Sequence, residues 1–252
     1  RSRRPADTTE PGVPDSAVVA DDTRAVAVVT GANRGIGRQV AAQLAAEGHR
    51  TVLAVRNVDA GHVAARDLTG DVAVAPLDVA DPDSVTRFAG WLRQHHGRVD
   101  VLVNNAAVNY DTWQDPLGAD LTQVRDTLEV NTLGAWRVAQ AVAPLMRHPA
   151  PGRRIVNVSS ESGSLTSMGA ATPAYAMSKA ALNALTRLLA AQLAPDGILV
   201  NSVCPGWVAT DMGGPAAPRT IAEGAASVLW AVRIPDDGPT GGFFRDGHPL
   251  PW

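Results

Sequence analysis

From Ala25 onward the chain alternates two kinds of hydrophobic pattern. Ala25-Val26-Ala27-Val28-Val29-Thr30 is a continuous apolar run, which predicts a strand buried on both faces of a parallel sheet. A glycine-rich turn follows. A helical pattern then runs to Glu47 and is closed by Gly48 just past its end. Apolar runs return at 51–55, 72–76, 99–104, 154–159, 198–203 and near 242–244. Helical periodicity fills 59–68, 83–95, 120–147, 173–193 and 220–231. Strands alternating with helices predict an α/β domain with a parallel sheet covered on both faces. Right-handed crossovers make that sheet doubly wound, with about seven strands. No repeat or low-complexity block interrupts 25–252, so one domain is expected. Residues 1–24 carry Arg, Pro, Asp, Thr and Glu without a period and are expected to form a flexible arm.

In such sheets ligands lie beyond the carboxyl ends of the strands. The residues just after the strands are therefore the informative ones: Gly31, Arg56, Asp78, Asn105, Ser160 and Pro205-Gly206. The first turn reads Gly31-Ala32-Asn33-Arg34-Gly35-Ile36-Gly37, spaced GxxxGxG between a strand and a helix. Glycines let a pyrophosphate approach the backbone, and the helix N-terminus offers unpaired N–H groups. A tight turn without a ligand is the other reading of these residues. Tyr175 and Lys179 are four apart on the predicted helix 173–193 and share one face. A cation beside a phenol favours the phenolate, so Lys179 is expected to lower the pKa of Tyr175. The bland alternative is a capping aromatic and a solvated charge.

Composition narrows the classes. The chain has 252 residues, 19% of them charged, and a net charge of -3. There is no basic stripe, so nucleic acid is not an expected partner. One cysteine, Cys204, excludes an internal disulfide framework and a Cys-rich metal site. The six histidines are scattered apart from His95-His96, which suit the C-terminal end of a helix dipole better than a metal. No metal site is expected. No apolar run reaches membrane-spanning length, and Arg1-Ser2-Arg3-Arg4 is not followed by a signal-like apolar segment. A cytoplasmic protein without membrane partners is the expectation.

Thr30-Gly31-Ala32-Asn33-Arg34-Gly35-Ile36-Gly37, Asn104-Asn105-Ala106, Asn131, Ser159-Ser160, Tyr175 with Lys179, and Pro205-Gly206 with Thr210 occur in that order. In these motifs the chain resembles the short-chain dehydrogenase/reductase family over roughly 25–245, a Rossmann-type fold. Val156–Ser160, the glycine loop and Arg56 are most similar to its carbonyl-reductase branch. Two features depart from the family. Ala107 stands where a glycine is usual, and the Ser160-to-Tyr175 interval is about two residues long. Ser160 follows the strand motif while Ser162 has the usual distance; Ser160 is favoured, with Ser159 on the opposite face.

The resemblance implies hydride transfer between a nicotinamide and a carbonyl or alcohol carbon. Tyr175 would be the general acid/base and Ser160 a second hydrogen-bond donor to the oxygen. Lys179 would tune the tyrosine and hold the nicotinamide ribose, and Asn131 would hold a water reaching Lys179. Gly31, Asn33, Arg34, Gly35, Ile36 and Gly37 would cradle the cofactor. Asp78 and Val79 would lie by the adenine, and Asn105 and Ala106 by its ribose. Pro205, Gly206, Val208 and Thr210 would lie by the carboxamide.

The second strand ends Leu53-Ala54-Val55-Arg56-Asn57 without an acid at its tip. Arg56 and Arg34 can grip a 2′-phosphate, so NADP(H) is expected over NAD(H). Asp59 reads as a helix N-cap. Few cations follow Thr210, which favours an apolar ketone, aldehyde or quinone over a sugar phosphate. The Gly- and Pro-rich 211–218 segment suits a lid, and Val108–Leu117 a loop beside the site. Trp207, Met212, Trp113 and Tyr110 are candidate apolar walls, though core or interface positions are the more ordinary reading for some of them. A non-catalytic NADP(H)-sensing protein on the same fold is the alternative function. Monomeric carbonyl reductases carry a long insertion before the tyrosine that this chain lacks, so a homodimer or homotetramer through helices 120–147 and 173–193 is expected. The apolar end, Phe243–Trp252, is expected to pack on the core or on a neighbouring subunit.

Overall fold

A computed structural model describes residues 23–108 and 110–252. The arm expected over 1–24 lies, up to residue 22, outside the described residues. The strands are β1 (Val26–Thr30), β2 (Arg50–Val55), β3 (Val72–Pro76), β4 (Val101–Asn104), β5 (Arg154–Val158), β6 (Leu199–Val203), β7 (Phe243–Arg245) and β8 (His248–Pro249). They form one sheet in the order β3-β2-β1-β4-β5-β6-β7-β8. Neighbours are parallel through β7, and β8 pairs antiparallel to β7. The chain order therefore reverses between β1 and β4, and their carboxyl ends splay into a crevice.

The apolar runs show no regular polar alternation because both faces of the sheet are covered. Val26 and Val28 face a cluster with Leu102, Ile155 and Val200 beneath α3 (Pro82–His95), α5 (Ala135–Met146) and α6 (Pro173–Leu193). Ala27 and Val29 face the other way, with Val103 and Val156, onto α1 (Gly35–Ala46) and α7 (Ile221–Arg233). Each buried Val or Leu contributes roughly 1.5–3 kcal/mol relative to exposure, so both helical layers are held by the same strands.

Three departures from the expected elements have physical causes. The expected helix 120–147 is α4 (Leu121–Leu128), one π-helical turn (Glu129–Gly134) and α5. Gly134 permits this because a Cβ there would lie 2.7 Å from a Val79 methyl. The turn aims Asn131 inward, and such turns often mark functional sites. The N-cap of α2 (Val58–Ala65) is Asn57, whose Oδ1 accepts from the Ala60 N–H at 2.9 Å; Asp59, expected to cap, lies inside the first turn. The eighth strand comes from Asp246-Gly247, both at positive φ, a two-residue hairpin turn. The other element ends fall within two or three residues of expectation, as fraying ends do.

Candidate active site

The carboxyl ends of the strands open into a cavity of about 840 Å³. One end lies at the N-terminus of α1. Arg34, at the cap position, makes no side-chain cap bond, and the first turn holds no acid. The first N–H groups of α1 are thus free to take an anion, with the helix dipole adding to the attraction. Gly31 and Gly35 have φ of +65° and +55°, values that disfavour side chains. At Gly37 a Cβ would lie 2.4 Å from Asn105 Nδ2. That amide is fixed by the carbonyls of Thr30 (2.9 Å) and Gly31 (3.2 Å). Asn105 therefore stitches β4 to the glycine turn. The cradle is open to ligand and filled behind, which fits a dinucleotide pyrophosphate.

Asn33, Ile36, Asp78, Val79, Ala106, Pro205, Gly206, Val208 and Thr210 line the same cavity. Arg56 lines it too and has no ion-pair partner among the described residues. Arg34 lines it as well, and its exposed guanidinium pairs with Asp211 at 2.9 Å. Ala107 keeps a negative φ, so its extra methyl causes no backbone strain.

At the other end stand Tyr175, Ser160 and Lys179. Ser160 has extended backbone at the start of a short turn, Glu161–Gly163, and its Oγ accepts from the Ser162 N–H at 3.2 Å. The Ser159 hydroxyl instead donates to Asn183 Oδ1 on α6 at 2.7 Å. Burial pushes the Tyr175 phenol above the usual tyrosine range, and a side-chain hydrogen bond with Ser160 opposes that rise. The expected lowering by Lys179 is corrected here, because desolvation of the buried phenol sets the direction. The ammonium lies 5.5 Å from the Tyr175 ring centroid and donates to the Val158 carbonyl at 2.8 Å. Burial pushes Lys179 itself down to about 8.

Asn131 is buried, and its side chain is committed to the loop and to α6. Its Oδ1 accepts from the Val108 N–H at 2.8 Å, and its Nδ2 donates to the Val108 carbonyl and to Ser178 Oγ. Lys179 is not among these partners, so the side chain pins the cavity wall at Val108.

Tyr110, Trp207 and Met212 line the cavity, whereas Trp113 is exposed and does not. Two arginines also line it. Arg245 pairs with Glu161 and reaches Cys204 Sγ at 3.3 Å, and Arg219 forks onto Asp246 at 2.7 and 2.8 Å. The expectation of few cations failed because β7 delivers Arg245 from the far end of the sequence. Asp111 was also missed. It is fully buried and accepts from the N–H groups of Ala174 and Tyr175 at 2.9 and 3.0 Å. No local motif marks a cap 63 residues away. Among the described residues no group of three or more His, Cys, Asp or Glu could hold a metal ion, and no helix is long and apolar enough to cross a membrane.

A doubly wound sheet with an anion-receptive helix at its switch point defines a dinucleotide-binding α/β protein. The model of the short chain dehydrogenase family matches residues 25–220, and the chain belongs to that family of oxidoreductases. It is 31% identical over 281 aligned positions to carbonyl reductase (NADPH) 1 of Sus scrofa, covering 90% of this chain and 94% of the relative. It is 31% identical to (+)-neomenthol dehydrogenase of Arabidopsis thaliana, over 90% of this chain and 97% of that one. The solved carbonyl reductase Sniffer of D. melanogaster superposes with a TM-score of 0.82 at 28% identity, covering 91% of this chain and all of that one.

Proposed function

We propose that this chain is an NADP(H)-dependent carbonyl reductase that converts a ketone, aldehyde or quinone to an alcohol. One observation carries the reading: Tyr175 and Ser160 line the end of a cavity that begins at the open N-terminus of α1, with the Lys179 ammonium over the tyrosine ring. The bound nicotinamide would supply the hydride. As the carbonyl carbon accepts it, negative charge grows on the oxygen. Tyr175, kept protonated by burial, gives that oxygen its phenolic proton. Ser160 offers the oxygen a second hydrogen bond and stabilises the charge. Lys179 places a positive charge beside the phenolate left behind. Asn131 holds the cavity wall at Val108. At the adenosine end, Arg56 has a guanidinium ready for the 2′-phosphate, with the known pig and chicken relatives both NADPH proteins by name.

The same reading includes self-association and a cytoplasmic location. Leu121, Leu133 and Trp136, together with Met177 and Leu188 on α6, are large apolar side chains left exposed. Such a surface supports pairing of α4–α5 and α6 with a second copy as a dimer or tetramer. The alignment to the pig relative spans more positions than this chain has residues, so that relative carries inserted residues here absent.

The test is NADPH oxidation, followed by absorbance, across a panel of ketones, aldehydes and quinones. Turnover of at least one, lost in Tyr175→Phe, is the expected result. A Tyr175→Phe enzyme with undiminished turnover would remove the mechanism. NADPH binding without turnover of any carbonyl compound would leave a sensing protein instead.

A further inference from the structure

The helix that carries Tyr175 does not cap itself. α6 begins at Pro173, and the residue before it, Thr172, sits in the left-handed region at φ 52° with no side-chain cap bond. That region disfavours a β-branched residue. It falls at the end of the connection from Ser160, the segment that is longer than in the family. A helix start leaves its first N–H groups without partners. Here one carboxylate from another loop takes two of them. Asp111 Oδ2 accepts from Ala174 at 2.9 Å and Oδ1 from Tyr175 at 3.0 Å. Gln114 Nε2 donates to Oδ2 at 3.3 Å, and Gln114 Oε1 accepts from the Asp120 N–H at 2.7 Å. The neighbouring Tyr110 sets its ring edge-on to that of Tyr175, with centroids 5.2 Å apart at 90°.

We propose that Asp111 is a positioning residue that fixes the main chain of Tyr175, and with it the phenol, to the cavity-side loop 110–120. The proposal rests on the reading of Tyr175 as proton donor. Both Val108 and Tyr110 line the cavity, so the loop that meets substrate and the acid that protonates it share one anchor. A buried carboxylate is tolerated because its oxygens are satisfied by N–H donors at the positive end of a helix. Removing one of those bonds frees the phenol to drift from Ser160. Misplacing a reacting group by about 1 Å costs on the order of 100-fold in rate.

Asp111→Asn keeps the shape but turns an NH2 group toward one of the two N–H donors. Its kcat is expected to fall about 10- to 100-fold at a temperature where circular dichroism shows a native fold. NADPH affinity, read by fluorescence, should stay within about twofold, because the Gly31–Gly37 cradle lies on other elements. Fluorotyrosine labelling adds a readout free of turnover. The chain has two tyrosines, so Tyr110→Phe assigns the Tyr175 fluorine resonance, and that line should shift or broaden in Asp111→Asn. An unchanged kcat with an unmoved line overturns the proposal. So does an Asp111→Asn chain that fails to fold, since Asp111 would then be a folding requirement. Tyr175→Phe separates the two claims. If it is inactive while Asp111→Asn is normal, only the positioning role fails. If it stays active, the proton-donor reading fails, and the fluorine line alone decides whether Asp111 fixes Tyr175.

Discussion

Replacing Lys179 by Met should make the protein more stable and inactive. Lys179 is 2% exposed, and burial pushes its ammonium from 10.5 to about 8. Each pH unit between those values is worth about 1.4 kcal/mol, so the buried charge costs the native state roughly 3 kcal/mol at pH 7. Met fills nearly the same space without a charge. The bond to the Val158 carbonyl is lost with it, a contribution of about 1 kcal/mol. About 2 kcal/mol of net stabilisation is left, or a Tm higher by roughly 4–8 °C for a domain of this size. The variant's advantage shrinks with pH in a defined window. Below about 8 the lysine is charged in folded and unfolded chains alike, and the full cost is present. Between about 8 and 10.5 the folded chain has shed the proton and the unfolded chain still holds it. Wild-type stability relative to the variant therefore recovers as pH rises, and the gap closes before 10.5 is reached. Equilibrium urea unfolding of both proteins at neutral and alkaline pH measures the gap. A variant no more stable than wild type at pH 7, or a gap that does not shrink with pH, would refute the argument. The wild-type kcat/KM for carbonyl reduction should also decline as pH rises through about 8, where the ammonium discharges.

Two substitutions separate residues that the sequence left ambiguous. Ser160→Ala should lower kcat by about 100-fold or more, as for a lost oxyanion donor, whereas Ser162→Ala should keep kcat within about threefold; steady-state kinetics of the pair decides which serine meets the substrate oxygen, and a larger loss at Ser162 would reverse the assignment. Arg56→Ala removes a charge-assisted contact of about 1.5–3 kcal/mol, so KM for NADPH should rise roughly 10- to 100-fold while KM for NADH stays within about twofold; equal effects on both cofactors would place Arg56 away from the 2′-phosphate.

The covered sheet was legible because burial on both faces leaves no regular polar alternation. Runs such as Val26–Val29 and Val101–Val103 therefore announced their own strands. The glycine turn was legible for a related reason: Gly31 and Gly35 need positive φ and Gly37 needs room, demands that fall on residue types. Tyr175 and Lys179 were legible because four residues make about one helical turn. The final hairpin had a signal, Asp246-Gly247, that the strand count passed over.

What the sequence could not settle depends on neighbours that folding brings from far along the chain. The direction in which Tyr175 titrates is one case. Adjacency to Lys179 argued for a lower pKa, but desolvation of the buried phenol decides the balance the other way. Arg34 is another, since its pairing with Asp211 spans 177 residues. The substrate end follows the same rule, with Arg245 and Glu161 drawn together only when β7 joins β6. Asp111 is the sharpest case, for an aspartate in a loop carries no local mark of the helix it caps. By itself, then, the sequence determined the sheet, the glycine turn and the pairing of Tyr175 with Lys179 on one helix face, because local backbone demands and helical spacing encode them. The tertiary structure alone decided their charge states, their partners and the anchoring of Tyr175, because desolvation and long-range hydrogen bonds exist only once the layers have closed.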